Sequence, residues 1–342
     1  MKVVFICPFP IERLTGTPIR AKIVIQSVET FSTVETISTS NRFLKFVSES
    51  MGKLQHLKPD VIHGFTTMSI VPMMLYKIAH PHTKIVFEMH GWSWFETKGQ
   101  LGILKRIVFL FLDIFGYLFA NSVIVMSCTQ KDFLRRWFGG RKNVNVVWGP
   151  ADFPISFEKP EERDGLLVGY QGNSSWWQGL HILIETARIL EKNPKIHFQL
   201  AGFDSSDKSK FPDRPNIKYL GRFERKDVTK LIKNCDVMVS PRLDGDVSDL
   251  QYPQKLSEYL AGGRPVIAFD TSDQRLIVEK ANAGFIVGNE SAKELAEAIE
   301  KFSQLPAESR SKLGENAGKF AEENFSPSVF VRKYEQAYKE LG

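Results

Sequence analysis

Cysteine is scarce in this chain. Cys7, Cys128 and Cys235 are odd in number, far apart and each set in an apolar run that reads as a strand. That excludes a disulfide scaffold or a cysteine metal set and predicts reduced core thiols in a cytoplasmic protein. Long hydrophobic runs are lacking too. The most apolar stretch, GILKRIVFLFLDIFGYLFANSVIVMS, is unbroken only from Ile107 to Leu112 before Asp113 interrupts it, well short of the roughly 20 residues that a membrane span needs. No secretory leader is visible, since Met1 and one lysine lead straight into VVFIC with no cleavage site behind it. Neither glycine loop reads G-x-G-x-x-G directly after its strand with an acidic residue following, which argues against a nicotinamide-dependent oxidoreductase. No clustered Asp, Cys or His set has metal-ligand spacing, and no nucleic-acid module is present.

What the chain does carry is length and alternation. Its 342 residues exceed what one hydrophobic core organises, so two domains are expected. Residues 1–155 hold 18 Lys+Arg against 10 Asp+Glu, a net of +8, whereas residues 156–342 hold 27 against 29, a net of −2. A basic half points to an acidic partner such as an anionic membrane surface or a phosphate-bearing acceptor, with a merely solvated basic face as the plain alternative. Strand, loop and helix recur in that order through both halves. This is the pattern of two doubly wound parallel sheets facing a cleft, with ligands beyond the carboxyl ends of the strands.

Residues 2–7 form a first strand. Thr15, Gly16 and Thr17 precede Pro18 at the start of a helix, so free N–H groups near Gly16 can face a ligand; the plain reading of Gly16 is a turn. Residues 59–64 and 84–91 are two more strands, each closing on a histidine followed by glycine. His63 and His90 thus stand at ligand-binding strand ends or are simply hydrogen-bonded there. The stretch GILKRIVFLFLDIFGYLFAN reads as a buried helix leading into the strand SVIVMS. The alternative is a helix lying in a membrane interface, anchored by Lys98, Lys105, Arg106 and the tryptophans of WSWFE. Lys131, Arg135, Arg136, Arg141 and Lys142 follow as a basic cluster, and residues 157–164 are a polar linker. Beyond it, LLVGYQGNSSWWQGL is again strand, glycine loop and helix. Gly169, Gly172 and Gly179 permit close backbone approach to a pyrophosphate. IHFQLAGFD, NIKYLGRF, CDVMVSPR and AGFIVG are further strands, DVTKLIKN is a helix, SAKELAEAIEKFSQL is a helix capped by Ser291 with Glu294 as capping-box partner, and SPSVFVRKYEQAYKEL is a final helix.

The densest chemistry lies in residues 252–270, YPQKLSEYLAGGRPVIAFD. Pro253 suits a first helical turn, Leu256, Tyr259 and Leu260 recur at helical spacing, Gly262-Gly263 stop the helix, and Val266–Phe269 read as an inner strand of a parallel sheet. Lys255 and Glu258 share a face near the helix N-terminus. An ammonium and free N–H groups there suit an anion, and a carboxylate suits hydroxyls; an exposed salt bridge is the plain alternative.

This run, P-x-K-x-x-E-Y-x-A-x-G-R-P-V-I in pattern, resembles the nucleotide-sugar signature of retaining family 4 glycosyltransferases (glycosyl transferases group 1) of the GT-B fold, and the resemblance extends over nearly the whole chain. It implies an N-terminal acceptor-binding Rossmann-like domain over 1–155, a nucleotide-sugar-binding domain over 156–324 and a closing helix, 325–342, that crosses back to the first. It also implies sugar transfer from a UDP-sugar or GDP-sugar to an acceptor hydroxyl with retention, without metal or cofactor. Glu258 would hold the ribose, Lys255 the diphosphate and His90 the transferred sugar, with Glu88 a weaker candidate. Gly16 and Thr17 replace the family's Gly-Gly after the first strand. Gly172, Asn173, Gln178, Gly202, Arg222 and Arg242 complete the donor side, and Phe203, Arg222 and Phe223 are candidates to pack on the base.

The chain departs from the family's pattern at three places. Where the family carries Arg and Lys in the glycine loop, this sequence has Asn173 and Gln178. Leu250 stands eight residues before Glu258, where the first Glu of the family's pair is found. Either Lys255, Arg242 or Arg264 compensates for the missing charge, or donor binding is weak, or the donor differs; the acidic position is absent unless Asp249 or Asp246 takes it over. The acceptor reads as a lipid-linked or cell-envelope glycan, and the location as cytoplasmic or peripheral on the inner face of a membrane. The competing readings are a sugar-nucleotide epimerase of the same overall fold, and a non-catalytic relative that binds nucleotide sugar or a protein partner.

Overall fold

Strands that are apolar without alternation must be buried on both faces, and the chain meets that demand with two all-parallel sheets. The structure, a computed structural model, describes every residue except 13–15, 40–41, 141–142, 152–153, 160, 162, 205–210, 246 and 289, with 225 and 226 described in backbone alone. It divides into two units, Met1–Gly149 with Pro327–Gly342, and Pro150–Ser326.

The first unit runs β1 (Lys2–Cys7), α1 (Gly16–Glu29), β2 (Thr33–Ser38), α2 (Phe43–Leu57), β3 (Val61–Phe65), α3 (Ile70–Ala79), β4 (Lys84–Met89), α4 (Ser93–Glu96), α5 (Ile103–Phe119), β5 (Ser122–Val125), α6 (Cys128–Phe138) and β6 (Val144–Val146). Its sheet has the order β2-β1-β3-β4-β5-β6. Val3, Phe5, Val61, Phe65 and Val86 turn one face of the sheet toward Val24 and Val28 of α1 and toward Phe330, Tyr334 and Tyr338. Phe87 points the other way, where a side chain at Gly116 of α5 would collide with its ring. By alternation and register, His63 and Glu88 lie on the α1 face.

The second unit runs β7 (Leu166–Gln171), α7 (Leu180–Ile189), β8 (Ile196–Ala201), β9 (Ile217–Tyr219), α8 (Arg225–Asn234), β10 (Val237–Ser240), α9 (Gln254–Ala261), β11 (Val266–Phe269), α10 (Gln274–Ala281), β12 (Gly284–Val287), α11 (Ala292–Ser303) and α12 (Ala307–Phe325); α13 (Pro327–Lys339) belongs to the first unit and packs on α1. The sheet order is β12-β11-β10-β7-β8-β9. Successive strands therefore leave β7 in opposite directions, which opens a crevice at the carboxyl ends of β7 and β10. The glycine loop and Arg242 follow those two strands.

Two expectations are corrected, and one unassigned stretch is a helix. Cys128 opens α6 behind the Ser127 cap and is not in a strand; none of the three cysteines forms a disulfide. The helix over 103–119 is not buried: only Asp113, Gly116 and Tyr117 are, while Leu104, Val108 and Phe111 face outward. The stretch 307–325, to which no element was assigned, is α12. Its buried face is Gly314, Ala317, Gly318, Ala321 and Phe325, mostly small residues that leave no stripe of large apolar side chains to read. The Ser291 cap is present, with the Glu294 N–H donating to its hydroxyl at 3.3 Å. Among the described residues no helix is long and apolar enough to cross a membrane.

Candidate active site

In the first unit, β4 carries Glu88 into a fully buried network. Arg20 of α1 donates from Nε to Glu88 Oε1 at 2.6 Å and from Nη2 to the Val147 carbonyl at 2.9 Å. Tyr334 of α13 donates to Glu88 Oε2 at 2.7 Å. Burial alone would raise the Glu88 carboxyl, but the Arg20 guanidinium and the two nearby imidazoles hold it well below the usual carboxylate range. His63 Nδ1 pairs with the Tyr338 hydroxyl at 2.7 Å, and burial lowers its pKa despite Glu88. His63 Nε2 lies 3.3 Å from Glu88 Oε2, close enough for attraction but without the geometry of a hydrogen bond. His63 thus takes the plain reading of a strand-end core histidine.

His90 differs. It follows β4, is only partly buried, and is held at both ring nitrogens, Nε2 by Glu88 Oε1 at 2.9 Å and Nδ1 by Thr17 Oγ1 at 3.1 Å. The structure thereby brings together two predicted residues, His90 and Thr17, and puts Gly16 at the first position of α1 with open space around it. Glu88 fixes the ring of His90. The loop after His90 is fixed as well: Asp113 of α5 accepts from the Ser93 N–H at 2.9 Å and from the Thr67 hydroxyl at 2.6 Å, and Gln130 donates to the Gly91 carbonyl at 3.0 Å. Burial raises Asp113 to about 7.

In the second unit, the helix α9 is clamped to the end of β7. The Tyr259 hydroxyl takes the Gln171 N–H at 3.0 Å and donates to the Gln171 carbonyl at 3.1 Å. That clamp buries the pair expected on the helix face. Lys255 is 8% exposed and Glu258 is 2%, so the surface salt bridge is overturned. Lys255 Nζ has no hydrogen-bond acceptor; it lies 4.5 Å from the centre of the Tyr170 ring and against the glycine loop, where a Cβ at Gly172 would stand 3.0 Å from it. Burial, then the Arg242 guanidinium, pull the ammonium down to about 7, against Glu258. Gly202, with φ +102°, backs the loop: any Cβ there would lie 2.6 Å from the Gly172 carbonyl oxygen.

The other predicted residues divide. Arg242 is buried, with Nη2 donating at 3.3 Å to the Ser248 carbonyl and to Gln251 Oε1 while Nε has no acceptor, and burial lowers it to about 10. Arg264 cannot compensate for missing charge, because its guanidinium is spent on the carbonyls of Ile232, Glu158, Gly263 and Lys233. Asn173 uses its side-chain oxygen to receive the Ser175 N–H at 3.0 Å. Gln178 Oε1 is a buried acceptor without a donor. Leu250 is buried, Asp249 is raised to about 7 by burial and by Asp244, and Asp246 lies outside the described residues, as do Thr15, Arg141 and Lys142. Arg222 is exposed and paired with Asp204 at 3.0 Å. Phe203 is a core residue packed on Phe211 and Tyr219, not a surface for a base.

Arg20, Tyr334 and Tyr170 were not singled out in the sequence. The spacing of Tyr334 and Tyr338 on the last helix was the only local signal for the first network. Among the described residues no group of three or more His, Cys, Asp or Glu side chains is placed to hold a metal ion.

One parallel-sheet unit thus carries a strand-end histidine, and the other a buried cation beside a glycine loop. Residues 2–152 match Glycosyltransferase Family 4 and residues 152–320 match Glycosyl transferases group 1. The chain belongs to these glycosyltransferases and has the GT-B fold.

Among its relatives is the N,N'-diacetylbacillosaminyl-diphospho-undecaprenol alpha-1,3-N-acetylgalactosaminyltransferase of Campylobacter jejuni, 25% identical over 84% of this chain and 80% of that one. The putative glycosyltransferase YtcC of Bacillus subtilis is 22% identical over 82% of this chain and 73% of its own length. In fold the chain is similar to sucrose-phosphate synthase from Thermosynechococcus elongatus (TM-score 0.79, 15% identity, 99% of this chain and 98% of that one). It is likewise similar to Anabaena HepE in complex with UDP (TM-score 0.76, 18% identity, 99% of this chain and all of that one).

Proposed function

We propose that this glycosyltransferase takes its sugar from a nucleoside diphosphate donor, a UDP-sugar or GDP-sugar, and delivers it with retention to a hydroxyl of a lipid-linked or cell-envelope glycan. The observation that carries the donor assignment is the Lys255 ammonium, buried beside the Gly172 loop with no acceptor of its own. A desolvated cation is costly unless it is paired, and an arriving diphosphate supplies the pair. Arg242, buried with an unused Nε–H, stands in for charge that Asn173 and Gln178 do not provide. As the sugar–phosphate bond breaks, negative charge grows on the leaving diphosphate. Lys255, Arg242 and the N-terminal dipole of α9 would stabilise it.

Glu258 accepts the ribose hydroxyls, and His90, its ring held by Glu88 and Thr17, contacts the transferred sugar. The acceptor follows from the basic first half and from the Campylobacter relative, whose name states a diphospho-undecaprenol substrate. The work would then be done at the inner face of a membrane. Proton NMR of the product formed from each donor tests the reading. An α-linked product from an α-linked donor is expected, whereas an inverted anomeric centre, or no product from any nucleotide sugar, overturns it.

A further inference from the structure

Among the described residues, none covers the outward face of α5. Leu104, Val108, Phe111, Phe115 and Leu118 recur at spacings of four and three and form one apolar stripe along the helix; Leu104 is 77% exposed and Phe111 65%. The neighbouring α3, which packs on both α5 and α2, also exposes Leu75 and Ile78, the latter 76%. A contiguous apolar surface of this kind on a protein in water marks a docking face.

Its rim is positive. Lys105 and Arg106 open α5, and Arg106 stacks over Trp94 at 4.2 Å. At the far end, α6 closes against α5 through the Tyr117 hydroxyl on the Gly139 carbonyl at 2.7 Å, presenting Arg135, Arg136 and Trp137 to solvent. The only acid of α5, Asp113, is buried. A second copy of the chain would set this basic rim against itself, whereas an anionic bilayer offers apolar depth and negative headgroups together.

We infer that the face built by α5 and α3 docks the protein onto an anionic membrane surface, with the stripe from Leu104 to Leu118 lying in the headgroup–acyl boundary and the rims of Lys105–Arg106 and Arg135–Arg136 on lipid phosphates. This deepens the reading of a lipid-linked acceptor. The inner side of the same helix holds the loop after His90 through Asp113, so docking sets that loop behind the helix that meets the bilayer.

The test needs neither donor nor acceptor, so its failure is distinct from failure of the transferase reading. The full chain is sedimented with phosphatidylcholine vesicles and with phosphatidylcholine–phosphatidylglycerol vesicles. Binding to the mixed vesicles, weakened by salt, is expected. Leu104→Glu with Phe111→Glu should cut partitioning by at least about tenfold, as loss of one inserted apolar side chain does, with an unchanged melting temperature. Arg135→Glu with Arg136→Glu, on a different helix, should lower binding to the anionic vesicles alone. Wild type that stays in the supernatant with mixed vesicles overturns the inference, and so does a concentration-dependent dimer abolished by the α5 variant.

Discussion

Replacing Lys255 with methionine separates function from stability, because the two should move in opposite directions. The buried ammonium has no acceptor, and burial lowers it from 10.5 to about 7. Methionine keeps the length of the side chain and its contact with Tyr170 while removing the desolvated charge. An unsatisfied buried group costs about 1–3 kcal/mol, so Lys255→Met should raise the melting temperature, by roughly 4–8 °C if the gain is about 2 kcal/mol. The same change removes a charge-assisted hydrogen bond to the diphosphate of about 1.5–3 kcal/mol, which weakens nucleoside diphosphate binding by roughly ten- to a hundredfold.

Titration has a defined sign here. Between about pH 7 and 10.5 the unfolded chain keeps a proton that folded Lys255 has released. Wild-type stability should therefore rise through that window by up to about 1.4 kcal/mol per pH unit, and the variant should lack this rise. Binding of UDP or GDP at pH 8 should take up close to one proton in wild type and none in Lys255→Met. Scanning calorimetry and isothermal titration in buffers of different ionisation enthalpy read both effects. A variant that melts below wild type and binds the nucleotide equally tightly refutes the reasoning.

Glu88→Gln leaves the Arg20 guanidinium buried without its anion and should cost about 3–5 kcal/mol in urea unfolding. Because Glu88 is held well below its ordinary 4.5, its contribution is present above that pH and is lost as pH falls below it, a dependence the variant should lack. Arg264→Leu strands four carbonyls and should lower the unfolding midpoint markedly while leaving nucleotide affinity of the folded protein unchanged, as titration at low temperature can show. Gly202→Ala forces a Cβ toward the Gly172 carbonyl from a positive φ; both stability and nucleotide affinity should fall, measured by melting and titration.

What the sequence disclosed is local, and what it hid is long-range. Lys255, Glu258 and the Gly262-Gly263 stop were legible because helix spacing and turn chemistry act within a few residues. Their burial was not, since it depends on Tyr259 reaching Gln171, 88 positions away. The ring of His90 could be placed at a strand end from the run KIVFEMH. Its support could not, because Glu88 meets Arg20 across 68 positions and Tyr334 across 246. The exposure of α5 escaped for another reason. A helix apolar on both faces has the same pattern whether protein or another medium covers its outer side, and only the fold shows that none of the described residues does. Phe203 and Arg264 were misjudged because an aromatic or a cation near a glycine looks the same whether it serves a ligand or the core.

Release of free nucleoside diphosphate, measured for a panel of UDP-, GDP- and ADP-sugars with and without membrane-lipid extract, bears most directly on the claim of glycosyl transfer from a nucleotide sugar. The account predicts release with one donor class, stimulated by the extract and abolished in Glu258→Ala and His90→Ala. No release from any donor by folded protein with the extract present, or release that both variants retain, would contradict it.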